Sequence, residues 1–110
     1  ATSTAQGDQS ELHAIRQVFD GIPVTVSATK SMTGHLLGAA GAIESIICAL
    51  SVKNDRIPAT INTTDPDDNE APGLHLLLGK SIRAPVNYAL NNTFGFGGHV
   101  ASSLFTQYAP

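Results

Sequence analysis

The sequence predicts an α/β fold built in layers, and three observations carry that prediction. Helix-like and strand-like hydrophobic spacings alternate along the chain in the order helix, strand, helix, loop, strand, strand. One central stretch is apolar on nearly every face. Two alternating runs flank a glycine cluster near the C-terminal end.

Asp8 followed by Glu11 has the capping-box pattern, and Leu12, Ile15, Val18 and Phe19 then recur at helical spacing. This predicts a short amphipathic helix ending near Gly21. After Pro23, the run Val24 to Ala28 holds β-branched residues and is expected to be a buried strand. A polar joint, Thr29 to Thr33, follows it. From about Gly38 to Lys53, apolar residues including Ile43, Ile46, Ile47, Leu50 and Val52 cover almost the whole circumference, which marks a helix enclosed by other elements. An enclosed helix needs layers on both sides, and 110 residues provide only part of that shell.

Asn54 to Gly73, rich in Pro, Asp, Asn and Thr, is expected to be a long irregular connection, with Ile57 and Ile61 touching the core. Leu74 to Leu78 has the composition of a short strand. Val86 to Phe94 and Val100 to Tyr108 alternate more clearly and are predicted strands, joined across Gly95, Phe96, Gly97 and Gly98.

With 42% hydrophobic and 14% charged residues the chain is globular in composition. A net charge of −3, six basic residues, two Tyr and no Trp give neither a basic stripe nor an aromatic platform, so nucleic acid is not an expected partner. The single Cys48 excludes an internal disulfide, and no CxxC or Cys/His cluster points to a structural zinc. A reducing compartment, cytoplasm or organelle interior, fits best. The N-terminal residues have no basic or apolar region of a signal peptide, and the missing initial Met points to a chain cut from a longer one. Leu36 to Val52 is interrupted by Glu44, Ser45 and Ser51, and is expected to be too short and polar to span a membrane.

Two segments hold residues with chemistry. The joint Ala28-Thr-Lys-Ser-Met-Thr-Gly-His places Lys30 and His35 between a buried strand and a buried helix, at a strand C-terminal end where α/β proteins build sites. From spacing alone Lys30 reads equally as a solvated lysine, and His35 as a capping or core histidine. In Asn91-Asn-Thr-Phe-Gly-Phe-Gly-Gly-His, glycines surround two aromatics, a pattern that a simple hairpin also explains. Cys48 lies mid-helix among Ile46, Ile47 and Ala49, where nothing lowers a thiol pKa, and reads as core. His13, His75 and His99 carry no comparable pattern.

Ser27-Ala-Thr-Lys-Ser-Met-Thr-Gly-His-Leu-Leu-Gly-Ala-Ala-Gly-Ala-Ile-Glu, then Ile57-Pro-Ala-Thr-Ile-Asn, then Asn91-Asn-Thr-Phe-Gly-Phe-Gly-Gly-His closely resembles the C-terminal half of the β-ketoacyl-[acyl-carrier-protein] synthases, of the elongating type I/II branch. The segments recur in order over nearly the whole chain. The resemblance implies the C-terminal half of a thiolase-like, layered α-β-α-β-α fold, and a decarboxylative Claisen condensation between an acyl-enzyme and malonyl-ACP. A non-catalytic, chain-length-factor-like subunit of a polyketide system is the rival reading. A thiolase should show Cys-Gly-Gly-Gly near its C-terminus, and this sequence does not.

By the same resemblance, Lys30 is the family's lysine and His35 its second histidine, while Thr2 and Thr4 resemble the threonines that bind the phosphopantetheine arm. Gly95, Phe96, Gly97 and Gly98 resemble the gate to the acyl pocket, the Phe96 N–H forming half of an oxyanion hole. Glu44 is the implied carboxylate compensating Lys30. A helix already begun at His35 would carry Glu44 about 13 Å away at ~1.5 Å rise per residue, so the regular helix is expected to start near Gly38 to Gly41. The nucleophilic Cys and first His would lie upstream of Ala1, and the fragment alone would be inactive. No cofactor is implied beyond the carrier's arm; the implied partners are acyl carrier protein, the N-terminal half of the synthase and a second copy in a homodimer.

Overall fold

Parallel pairing between two strands far apart in sequence, and an antiparallel hairpin laid along a long apolar helix, organise the computed structural model, which describes residues 1–66 and 73–110. The chain divides into two compact units, Ala1–Gly34 with Ala59–Lys80, and His35–Pro58 with Ser81–Pro110.

In the first unit, α1 (Ala5–Phe19) leads into β1 (Val24–Val26), and β1 pairs in parallel with β3 (Leu74–Leu76), Val24 opposite Leu74 and Val26 opposite Leu76. The edge continues through a bridge between Thr60 and Leu78. α1 begins a turn earlier than the sequence predicts, and the capping box is not used: Thr4 is the N-cap without a side-chain cap bond. The reason lies in where the two carboxylates go. Asp8 accepts from the Thr2 N–H at 3.0 Å and still complements the helix dipole in the first turn, while Glu11 takes the Ala1 amino group at 2.8 Å. With Gly7 leaving room for the Thr4 hydroxyl, which a Cβ would meet at 2.6 Å, the helix extends back to Ala5. Asp20 in the left-handed region closes α1.

The expected polar joint after β1 contains a single helical turn, α2 (Lys30–Thr33), that the sequence reading missed. Strand β1 is shorter than the predicted Val24 to Ala28, because Ala28 leaves the ladder to donate its N–H to Thr60 Oγ1 at 2.8 Å.

In the second unit a 3-10 turn, Leu37–Ala39, runs into α3 (Ala40–Asn54). Regular helix therefore starts where expected. Strand β2 (Arg56–Ile57), inside the connection expected to be irregular, pairs antiparallel with β4 (Ile82–Arg83), a stretch for which the sequence predicts no element; of the predicted Asn54 to Gly73 connection, residues 67–72 lie outside the described ones. Asp55 fastens this corner, its carbonyl accepting from Ala84 N–H at 3.1 Å and its carboxylate from Val86 N–H at 2.9 Å.

The two predicted C-terminal strands are β5 (Tyr88–Gly95) and β6 (His99–Thr106), in register from Tyr88 opposite Thr106 to Gly95 opposite His99. Alternation puts Ala89, Asn91 and Thr93 on the face against α3, where Asn91 and Thr93 meet Gly41. The other face carries Leu90, Phe94, Val100 and Leu104, all at least 43% exposed. Enclosure of α3, expected from its composition, is incomplete: the strands β2, β5 and β6 of its own unit pack along it, and Ile46 and Leu50 remain 56% and 50% exposed. By length and composition alone this segment is apolar enough to cross a membrane, a test that the core helix of a globular protein also passes. Its lateral bonds to β5 and to Gln107, which donates to the Val52 carbonyl at 3.3 Å, are those of a core helix.

Candidate active site

Lys30 opens α2, half-buried, immediately after the β1 joint. That joint is fixed by residues the sequence reading passed over. Ser31 Oγ donates to the Ala28 carbonyl at 2.7 Å and accepts from the Ile61 N–H at 2.9 Å, and Asn62 Nδ2 donates to the Ser31 carbonyl at 3.2 Å. The Pro-Ala-Thr-Ile-Asn segment, until here a motif without a role, is thus the strap holding the lysine-bearing turn. A small hydroxylated residue at a strand-to-helix joint was the one signal available. In the same unit, the Thr2 and Thr4 hydroxyls are exposed and lie 3.3 Å apart.

His35 belongs to the second unit. Gly34, at φ +72, ends α2, and the chain turns through His35 into the 3-10 turn. His35 is exposed, and its Nδ1 accepts the Leu37 N–H at 3.1 Å. An amide can only donate. Nδ1 is therefore the unprotonated nitrogen, and a neutral ring carries its hydrogen on Nε2, where it is available as a donor to a ligand. Leu37 achieves this from a left-handed backbone, φ +51, unusual for a residue of its size.

Glu44 lies half-buried in the second turn of α3, one turn before Cys48. Burial pushes the Cys48 thiol up, and the Glu44 carboxylate pushes it further the same way. Such a thiol is a poor nucleophile, as its mid-helix position predicted.

The β5–β6 turn is Phe96-Gly97-Gly98, with both glycines left-handed at φ +82 and +83. Phe96 stands fully exposed at its tip, and Gly95 closes the ladder opposite His99. Glycines at these angles give the aromatic a turn that side-chain-bearing residues resist. Among the described residues, a cavity of about 280 Å³ lies beside Arg16, Phe19 and Leu74 in the first unit, and no candidate residue lines it.

These features meet a recognised pattern. The sequence profile of the "Beta-ketoacyl synthase, C-terminal domain" matches residues 1–64, more than half of the chain. The chain belongs to the β-ketoacyl synthase family. Its matched part contains Lys30, His35 and Glu44. Proteins named 3-oxoacyl-[acyl-carrier-protein] synthase 2 from Synechocystis sp. and from Staphylococcus aureus are each 41% identical over 109 residues, 97% of this chain. Two solved structures share the fold. One is the ishigamide ketosynthase/chain length factor, at TM-score 0.90 and 33% identity over 98% of this chain. The other is a type II polyketide synthase acyl-carrier protein in complex with its ketosynthase bound to the hexaketide, at TM-score 0.84 and 34% identity over 97%. The chain spans about a quarter of each relative, 26% in all four. The α/β class expected from the sequence stands, in the fold of ketosynthase chains.

Proposed function

We propose that this chain supplies one wall of the active site of a β-ketoacyl-[acyl-carrier-protein] synthase, which condenses an acyl-enzyme with malonyl-ACP to give 3-oxoacyl-ACP. In that reaction the malonyl C–C bond breaks, CO₂ leaves, and the electron pair passes into the thioester as an enolate. The enolate carbon then attacks the acyl-enzyme carbonyl and the cysteine thiolate departs. Negative charge builds on a thioester oxygen, and a pre-oriented donor aimed there is among the largest catalytic effects available. His35 is that donor, through Nε2–H.

The observation that carries this reading is the Leu37 N–H bond to His35 Nδ1, which leaves Nε2 as the donor nitrogen. Lys30 is assigned to the same site with Glu44 as its supporting carboxylate, Thr2 and Thr4 to the phosphopantetheine arm, and Gly95, Phe96, Gly97 and Gly98 to the acyl-pocket gate and oxyanion hole. The raised Cys48 thiol is unsuited to attack, so the nucleophile comes from elsewhere in the synthase.

The exposed apolar face of β5–β6 and the bare side of α3 are surfaces for the remainder of the protein to cover. Acyl carrier protein is the partner, a homodimer the assembly, and the cell interior the location. The likeness to a ketosynthase/chain length factor keeps one rival in view, a non-catalytic subunit; Lys30, His35 and the Phe96 turn favour the enzyme. The test is 3-oxoacyl-ACP formation by the full-length synthase carrying Lys30→Ala or His35→Ala. Both substitutions should abolish condensation, and near-normal product from both would refute the assignment.

A further inference from the structure

We infer that Asn91 is a positioning residue for His35, acting through the first turn of α3. This rests on the reading of His35 as the condensation donor. Asn91 is one of the few buried polar side chains among the described residues, 7% exposed, and it sits mid-strand in β5 where an apolar residue would pack at no polar cost. Its Nδ2 donates twice into α3, to the Gly41 carbonyl at 3.1 Å and to Ser45 Oγ at 3.2 Å. Thr93, on the same strand face, closes on the same point: a Cβ at residue 41 would meet Thr93 Oγ1 at 3.0 Å and Cγ2 at 3.3 Å. Two side chains of one strand thus clasp one glycine of one helix.

What the clasp controls lies just upstream. α3 starts at Ala40 without a side-chain cap, and the 3-10 turn Leu37–Ala39 runs directly into it. Leu37 holds the left-handed conformation that aims its N–H at His35 Nδ1. An uncapped helix start frays unless something fixes it from the side. Asn91 fixes it from β5, a strand in register with β6 along its whole length. Releasing the clasp lets the first turn drift, the Leu37 N–H with it, and the imidazole loses its set orientation. Misplacement of a catalytic group by about 1 Å is enough to cost up to a hundredfold in rate.

The experiment uses the full-length synthase with Asn91→Leu, which keeps the branched shape and removes the donors, in a cycle with His35→Ala. Asn91→Leu should lower kcat for condensation by roughly ten- to a hundredfold, with KM for malonyl-ACP and acyl transfer to the enzyme near normal. The double variant should be no slower than His35→Ala alone. Losses that multiply, an unchanged kcat, or equal losses in acyl transfer and condensation would each overturn the proposal. If Asn91→Leu does not fold, Asn91→Ser is measured in the same way, and failure of both to fold assigns Asn91 to stability and overturns it too. Should His35→Ala itself condense normally, the reading of His35 falls first, separately from any effect at Asn91.

Discussion

The backbone N–H of Leu37 donates to Nδ1 of His35 at 3.1 Å from a left-handed backbone, so a strained residue sets the tautomer of its neighbour. In the full-length synthase, the ¹⁵N spectrum of His35 should show Nε2 as the protonated nitrogen; a protonated Nδ1 in the neutral ring would contradict the bond. The Leu37 side chain is 73% exposed and buries little. Leu37→Gly keeps the donor and relieves about 1 kcal/mol of left-handed strain, so the melting temperature should hold or rise. A drop of several degrees would show that the side chain matters more than the backbone.

Glycine tolerance should follow both backbone angle and crowding. Gly98 has φ +83 and open space around its missing Cβ, so Gly98→Ala should cost about 1 kcal/mol from backbone strain alone. Gly38 also has open space but no positive φ, and Gly38→Ala should be neutral or slightly stabilising. Gly41→Ala pushes a methyl onto Thr93 and should cost roughly 1 to 3 kcal/mol. Thermal denaturation of the three variants checks the order.

Ser31→Ala should destabilise by about 1 to 3 kcal/mol, because it strands the part-buried Ile61 N–H and leaves the Ala28 carbonyl with only the Ser31 N–H at 3.2 Å. Chemical denaturation measures it. A loss below about 0.5 kcal/mol would mean that the strap is not what holds the Lys30 turn.

Cys48 predicts a signed pH effect. Its folded thiol binds a proton more tightly than the unfolded thiol, so it contributes stability below the ordinary value of 9.0, and that contribution fades as the pH rises above it. The melting-temperature advantage of the wild type over Cys48→Ala should therefore shrink between about pH 7.5 and pH 10. An advantage that grows with pH would contradict a raised thiol.

Much of this was legible in the sequence. The C-terminal hairpin followed from alternation around glycines, and the late start of α3 from the reach expected of Glu44. What escaped was set by partners distant in the chain. The single turn at Lys30 exists because Ser31 is tied to Ile61 and Asn62, and Asp8 stopped being a cap because Thr2 reached it first. β2 and β4 are too short to show a period, and each finds strand geometry only through the other. Asn91 looked like one more polar residue beside a glycine loop, since nothing in its neighbours reveals that Gly41 lies against it. The exposed flank of α3 was foreseen only as a need for further layers.

The most direct test separates the two half-reactions of the full-length synthase carrying His35→Ala. Acyl transfer onto the enzyme should proceed at close to the normal rate, while conversion of that acyl-enzyme with malonyl-ACP into 3-oxoacyl-ACP should slow by roughly 10²- to 10³-fold. Condensation within about tenfold of the wild type, or an equal loss in both steps, would contradict His35 as the donor on which condensation depends.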